Sequence, residues 1–299
     1  MNRTLVTGAA GFTGRYIGTL LAKRGHEVHG VVHGPCEDSL TGFAHLHQCD
    51  LRDLSAIRRV VEELQPDHVV HLAAISFVAH LDIDQMYRAN VVGTRQLLQA
   101  LSELPQPPAS VLIASSANVY GNKQEGMLDE TTPLAPVNDY GVSKVAMEYV
   151  ASIYGQRLPL ILVRPFNYTG RGQSTDFIIP KIVHHAKQGG DVLELGNLDV
   201  ARDFSDVRTV TETYVRLLGE PQAIGGTFNV CSGRATTLNE VVDLVKRLSG
   251  REFAVRVNPQ FVRANEVRRL CGSHARIEHL LGRLPSIALE DTLRWMLDE

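Results

Sequence analysis

A phenol and an ammonium stand four residues apart in Tyr140-Gly141-Val142-Ser143-Lys144, so on a helix both project from one face, about a turn apart. A phenol with an ordinary pKa of about 10 is a poor acid or base at neutral pH, but a neighbouring ammonium favours its ionised form. Lys144 therefore reads as the tuner of Tyr140. A third polar group, Ser115-Ser116, ends the apolar run that starts at Ser110. A hydroxyl at the carboxyl end of a buried strand can bond the same substrate oxygen that Tyr140 protonates.

Such a set moves one proton at a carbon–oxygen centre and leaves the hydride to a cofactor. The chain carries a place for one at its start: Thr7-Gly8-Ala9-Ala10-Gly11-Phe12-Thr13-Gly14 separates the first apolar run from a helical pattern. Glycines at that turn let a pyrophosphate approach backbone N–H groups at a helix N-terminus. The second strand ends in Val31-Val32-His33-Gly34, without the acid that would hold an adenosine 2′-hydroxyl and repel a 2′-phosphate. Arg15 could help neutralise that phosphate. These features lean towards NADP(H) over NAD(H). Asp50-Leu51, at the end of the third strand, is placed to meet the adenine, or Asp50 caps the following helix.

These groups need a parallel sheet to position them, and the sequence supplies its rhythm. Strands are expected at Thr4 to Thr7, Glu27 to Val32, His68 to Leu72, Ser110 to Ser115 and Leu160 to Val163. Helices fall between them: Phe12 to Arg24, Leu54 to Leu64, one long helix from Asp84 to Leu104, and Tyr140 to Tyr154. This alternation predicts an α/β fold with a Rossmann-type doubly wound parallel sheet and ligands at the carboxyl ends of its strands. After Arg164-Pro165 the texture changes. We expect a dinucleotide-binding domain over 1–165, with a return of segments near 204–231, and a smaller α/β nucleotide-sugar-binding domain over 166–299. Helices are expected there at Ile178 to Lys187, Val207 to Leu218, Leu238 to Leu248 and Leu289 to Leu297, with strands at Val192 to Leu195, Phe228 to Val230 and Ala254 to Val257.

The 299 residues, 44% hydrophobic with a net charge of −3, offer no basic field for nucleic acid. No apolar run approaches a membrane span, and Met1 leads directly into Leu5-Val6, so no secretory leader is expected and a cytoplasmic location follows. Cys36, Cys49, Cys231 and Cys271 form no C-x-x-C pair. His45-x-His47 and His184-His185 lack acids or cysteines at ligand spacing, and no metal is expected.

The glycine loop, His71-Leu72-Ala73-Ala74, Asn90, Ser115-Ser116-Ala117-Asn118-Val119-Tyr120-Gly121 and Tyr140-x-x-x-Lys144 together resemble the extended short-chain dehydrogenase/reductases over nearly the whole chain. The resemblance implies a catalytic triad of Ser116, Tyr140 and Lys144. It also implies a cofactor bed of Gly8, Gly11, Phe12, Gly14, His33, Asp50, Leu51, Leu72, Ala73, Ala74, Asn90, Tyr140 and Lys144, with the 71–74 segment and Asn90 beside the nicotinamide. A homodimer built on the helices near Asp84 to Leu104 and Tyr140 to Tyr154 is implied as well.

Leu195-Gly196-Asn197-Leu198-Asp199-Val200-Ala201-Arg202-Asp203-Phe204 is similar to a stretch in the GDP-mannose branch of this family, its 4,6-dehydratases included. Arg164 to Gln173 and the region from Arg263-x-x-Glu266 to Arg276 resemble its reductases. Arg202 and Arg263 could each hold a diphosphate by forked hydrogen bonds, and Asn167 could donate to it. Substrate-side candidates are thus Ser76, Ser116, Asn167, Lys181, Asn197, Arg202, Arg263 and Glu266. The dehydratases place a Glu two residues after the strand-end hydroxyl, where this chain has Asn118, and an amide cannot take a proton from carbon 5. The expected reaction is therefore reduction of a GDP-4-keto-6-deoxy-D-mannose to GDP-D-rhamnose. A nucleotide-sugar 4-epimerase with tightly held NAD is the alternative, and a dehydratase or a non-catalytic redox sensor is less favoured.

Overall fold

In a computed structural model, which describes residues 1–34, 39–77, 82–122, 126–261 and 268–298, the first half of the chain builds the expected parallel sheet. Its strands are β1 (Arg3–Thr7), β2 (Glu27–Val32), β3 (His45–Gln48), β4 (His68–His71), β5 (Ser110–Ala114) and β6 (Leu160–Pro165). Later strands are β7 (Asn167–Thr169), β8 (Val192–Leu195), β9 (Ala201–Asp206), β10 (Thr227–Val230), β11 (Ala235–Thr237), β12 (Ala254–Val257) and β13 (Arg269–Leu270). The main sheet has seven strands in the order β10-β6-β5-β4-β1-β2-β3. All its pairings are parallel, so each strand must be joined to its neighbour by a crossover connection and not by a tight hairpin.

The helices of the first half are α1 (Phe12–Lys23), α2 (Leu54–Leu64), α3 (Ile83–Tyr87), α4 (Thr94–Ser102) and α5 (Asp139–Tyr154). Those of the second are α6 (Ile178–Gln188), α7 (Val207–Leu218), α8 (Leu238–Ser249), α9 (Ala275–Leu281) and α10 (Leu289–Leu297). Sheet strands carry apolar residues on both faces because both are covered. On one face Leu5, Val31, Val69, Val111 and Ile113 pack on Ile57, Val60, Val61 and Leu64 of α2, Leu97 and Leu101 of α4, and Met147 of α5. On the other, Val6, Val70, Leu112 and Ile161 meet Ile17 and Leu21 of α1 and Val210, Tyr214 and Leu217 of α7. A third core joins α6, α8 and α10 to β8 and β9 through Ile182, Val241, Val245, Leu195, Phe204 and Leu293.

One departure from the sequence pattern bears on function. The single helix expected over Asp84 to Leu104 is broken by a π-helical turn, Arg88–Gly93, between α3 and α4. Thr94 Oγ1 donates to the Asn90 carbonyl at 2.8 Å, engaging an acceptor that a regular turn would offer to a backbone N–H. β10 and α7, from the far half of the chain and within the 204–231 stretch, lie on the main sheet, with β10 pairing along β6.

Candidate active site

Most candidates in the first half sit at or just beyond the carboxyl end of a strand, while Asn90 lies in the π turn and Tyr140 and Lys144 on α5. β1 ends in a turn that only glycine allows: Gly8 has φ +71, and a Cβ on it would stand 2.9 Å from the backbone nitrogen of Ala73. At Gly14, in the first turn of α1, a Cβ would stand 2.3 Å from the Gly8 carbonyl oxygen. Gly11 differs, being exposed with the Gly8 oxygen at 3.1 Å as the sole near neighbour of a built Cβ. It is the N-cap of α1, no side chain caps that end, and no acid lies in the first turn. Free N–H groups, the helix dipole and a gap where a side chain is missing fit a pyrophosphate.

The floor beside this turn is the 72–74 segment. Ala73 N–H donates to Thr7 Oγ1 at 3.2 Å, and Leu72, Ala73 and Ala74 are half-buried. His71 lies beneath them, fully enclosed between the hydroxyls of Thr7 (2.7 Å) and Thr94 (2.8 Å). Burial, aided by the Lys144 charge, pushes its pKa down to about 3. His71 is thus a neutral post joining β1, β4 and α4. Asn90 is completely buried in the π turn and acts as a brace, with Oδ1 accepting from Ile75 N–H at 2.8 Å and Nδ2 donating to the Ile75 carbonyl at 3.1 Å and Ser143 Oγ at 3.0 Å.

Beyond the carboxyl ends of β2 and β3, His33 is exposed, 3.5 Å from Asp50. Asp50 is held by Arg52, whose Nε lies 3.0 Å from both carboxylate oxygens and whose Nη2 lies 2.7 Å from one. Those bonds bring the Asp50 carboxyl down to about 2. Asp53, not Asp50, caps α2, accepting from Ser55 and Ala56 N–H. Leu51 is buried, and Arg15 is exposed with its Nε donating to the Ala10 carbonyl at 3.1 Å.

Ser116, Tyr140 and Lys144 converge at the carboxyl ends of β5 and β6. Ser116 caps the short 3₁₀ turn Ala117–Tyr120, and its Oγ accepts from both the backbone N–H (3.2 Å) and the side-chain amide (3.1 Å) of Asn118. α5 begins against that turn: Asn138 caps it through Gly141 N–H at 2.8 Å. A Cβ on Gly141 would stand 2.8 Å from the Asn118 carbonyl oxygen, so glycine permits the close approach that brings Tyr140 to Ser116.

The Tyr140 phenol is buried and hydrogen-bonded with Ser116. Burial pushes it up to about 12, against the pull of that hydrogen bond. Lys144 Nζ donates to the Ala114 carbonyl at 2.8 Å, and burial brings the ammonium itself down to about 8 against support from Glu148. The pull on the phenol comes from Ser116. Desolvation on two sides outweighs the charge effect that the four-residue spacing suggested.

Beneath the three residues runs a buried chain that the sequence reading missed. Ser115 Oγ donates to Glu148 at 2.5 Å, and Arg164 grips the same carboxylate through Nε (2.9 Å) and Nη2 (2.7 Å). Arg164 Nη1 donates to Tyr120 Oη at 3.0 Å, which donates to Asn229 Oδ1 at 2.6 Å. Glu148 is the next residue on the Tyr140, Lys144 helix face, so a second step of four residues was the signal available.

The substrate-side candidates lie in separate places. Ser76 is exposed between Ile75, fixed by Asn90, and Phe77, whose ring meets Phe177 edge-on at 6.3 Å. Asn167 is exposed on β7, where it pairs with Phe204 of β9, the strand that carries half-buried Arg202. Lys181 sits 4.2 Å over the Phe261 ring, and the 196–199 loop packs there too, with Asn197 Oδ1 accepting from Asp199 N–H at 3.1 Å. Arg263 and Glu266 lie outside the described residues. Asp203 is wholly buried and accepts from the N–H groups of Ser232, Gly233 and Gly272.

The parallel sheet, glycine turn and Ser116, Tyr140, Lys144 grouping are those of an extended short-chain dehydrogenase/reductase. A family model described as GDP-mannose 4,6 dehydratase matches residues 5–296. The chain belongs to that family. It is 32% identical to a GDP-6-deoxy-D-talose 4-dehydrogenase of Aggregatibacter actinomycetemcomitans, over 94% of this chain and 91% of that protein. It is 34% identical to a GDP-6-deoxy-D-mannose reductase of Pseudomonas aeruginosa, over 99% and 96%. Among solved structures, "a putative epimerase" from Burkholderia cenocepacia J2315 superposes with a TM-score of 0.93 at 48% identity, covering 99% of this chain and 97% of that one. RMD from Pseudomonas aeruginosa, complexed with NADPH, superposes with a TM-score of 0.84 at 33% identity, covering 100% and 97%.

Proposed function

We propose that the protein is a cytoplasmic homodimer that reduces the 4-keto group of a GDP-4-keto-6-deoxy-D-mannose to GDP-D-rhamnose with NAD(P)H. The observation that carries the reading is a buried phenol, hydrogen-bonded to Ser116, with an amide at position 118. Tyr140, protonated far above neutral pH, is a proton donor at rest. It gives its proton to the oxygen growing on carbon 4, and the Ser116 hydroxyl steadies that oxygen. Asn118, by donating twice to Ser116 Oγ, fixes the direction in which the Ser116 hydroxyl points. Lys144 supplies positive charge below the phenol as its proton leaves. A 4,6-dehydration would need a base near carbon 5, and Asn118 provides none.

The chemistry that a bound reduced dinucleotide supplies is hydride at carbon 4. Gly8, Gly11, Phe12 and Gly14 would hold its pyrophosphate, Leu72 to Ala74 its nicotinamide half, and His33, Asp50 and Leu51 its adenosine. NADP(H) is favoured because β2 ends without an acid and the Arg52 guanidinium stands 3.4 Å from His33, where a 2′-phosphate would be met. The relative solved with NADPH supports the same choice. The diphosphate falls to Asn167, Arg202 and Arg263, with Ser76, Lys181, Asn197 and Glu266 on the substrate side. Val92, Val142, Tyr149 and Ile153 form an exposed apolar stripe on the π turn and α5, which supports pairing of two copies through these helices.

Tyr140→Phe tests the reading. Substrate-dependent oxidation of NADPH should fall by roughly 10²- to 10⁴-fold, while the thermal shift given by NADPH alone stays that of the wild type. Unchanged turnover would remove Tyr140 from the chemistry. A 4-epimerase uses the same three residues, and the relative called an epimerase favours it as second reading. Net consumption of one NADPH per sugar separates the two.

A further inference from the structure

β3 is the edge strand of the main sheet, with β2 as its one neighbour. In their parallel register His29 pairs with His45, and Val31 with His47. Alternate residues of a strand share a face, so Glu27 and His29 of β2 lie alongside His45 and His47 of β3. The face is the one on which Val31 packs against α2. The fold thus adds a carboxylate and a third imidazole to His45-x-His47, from 18 residues away in the case of His29 and His47. Spacing along the chain could not reveal this, and the expectation that these histidines lack an acid is corrected.

The geometry is already close to that of a ligand set. His29 Nε2 lies 3.1 Å from Glu27 Oε1, and His29 Nδ1 lies 3.1 Å from His47 Nε2. The His29 and His45 rings are 4.8 Å apart. One donor atom from each of Glu27, His29 and His45 falls within 4.8 Å of the others. A tetrahedral ion at metal–ligand distances of about 2.0–2.1 Å needs its donors roughly 3.3 Å apart. Glu27 and His29 meet that now, and exposed His45 reaches it by side-chain rotation.

His29, 8% exposed, is held from below. When its Nδ1–H donates to His47 Nε2, its Nε2 lone pair points towards Glu27. An outer hydrogen bond of this kind orients an imidazole ligand.

We propose that Glu27, His29 and His45 bind one divalent first-row transition ion, Zn²⁺ by preference, with His47 as the orienting partner and one coordination position left for water. Two imidazoles and one carboxylate select Zn²⁺ over Mg²⁺ or Ca²⁺, which require mainly oxygen donors. These residues occupy the first half of β2 and of β3, away from the carboxyl ends where the dinucleotide turn lies. The ion is a staple: it ties the edge strand to its neighbour, and that strand leads through Cys49 into Asp50 on the adenosine side.

The test uses untagged protein, since a polyhistidine tag would bind the same ions. Titration with ZnCl2 should give one ion per chain, and saturation at about 100 times the dissociation constant should raise Tm by roughly 5 °C. CoCl2 should give the strong visible absorption of a four-coordinate ion. His45→Ala, at an exposed position, should leave the metal-free Tm unchanged but abolish the Zn²⁺ shift and the Co²⁺ spectrum. Glu27→Gln should weaken both, and His33→Ala should change neither. The proposal is overturned by absence of Zn²⁺ binding to the wild type. It is equally overturned by the same stoichiometry and shift in His45→Ala and Glu27→Gln, which would mean an adventitious ion only.

Discussion

Glu148→Gln removes a charge from the buried chain beneath Tyr140 and Lys144 while keeping the side chain's volume. The carboxylate accepts three bonds, at 2.5 Å from Ser115 and at 2.9 and 2.7 Å from Arg164. Its partner guanidinium is 8% exposed and the carboxylate 7%, so water reaches neither. Breaking such a pair by neutralising one member costs about 3–5 kcal/mol, because the remaining ion stays buried without its counter-charge. Glutamine keeps one acceptor oxygen for the guanidinium, which puts the loss near the lower end, about 3 kcal/mol. At about 2 °C per kcal/mol for a chain of this size, Tm should fall by roughly 6 °C.

The assay is calorimetry or a thermal shift at neutral pH, run beside the double variant Glu148→Leu/Arg164→Met. Removing both charges should recover much of the loss, since the penalty belongs to the unpaired ion and not to the absent bond. A fall below about 2 °C in Glu148→Gln, or a double variant as unstable as the single one, would refute this account of the ion pair.

Two more outcomes follow from the same site. Lys144 has a folded value of about 8 against an ordinary 10.5, so between those values the unfolded chain binds the extra proton. Its contribution to stability therefore rises with pH across that window. The rate of reduction should decline as pH rises through about 8, and Glu148→Gln should move that limb to lower pH, because Glu148 is what supports the ammonium. The two glycines of the turn should separate by readout. Gly14→Ala places a Cβ 2.3 Å from one backbone oxygen and 2.6 Å from another, and should cost more than about 2 kcal/mol in denaturant unfolding. Gly11→Ala should stay within about 1 kcal/mol of the wild type yet lose the thermal shift given by NADPH.

The order of elements was legible because both strands and helices in the first half are bounded by turn residues and carry clean apolar patterns. Phe12 to Arg24, Leu54 to Leu64 and Tyr140 to Tyr154 lie within a residue or so of α1, α2 and α5. The π turn was not legible, since Arg88 to Gly93 carries ordinary helical residues. At the site, Ser116 and Tyr140 could be paired from their places at a strand end and a helix start. What sets the Tyr140 proton affinity could not, because burial depends on everything packed around α5. Glu148 and Arg164 lie in different elements and meet only across the fold, and His45 of β3 likewise meets Glu27 and His29 of β2 only through strand pairing.

The lacing of the chain has a consequence for how it can be cut. β10 covers β6, and Val210, Tyr214, Leu217 and Leu218 of α7 roof one side of the sheet formed by the first half. A fragment stopping after Pro165 would leave β6 as a bare rim of unpaired N–H and C=O groups beside an uncovered apolar face, the combination that invites neighbouring molecules to add a strand. Neither half can be detached without leaving raw surface on the other. The main sheet is therefore finished only when residues more than sixty positions downstream have been made and folded back onto it.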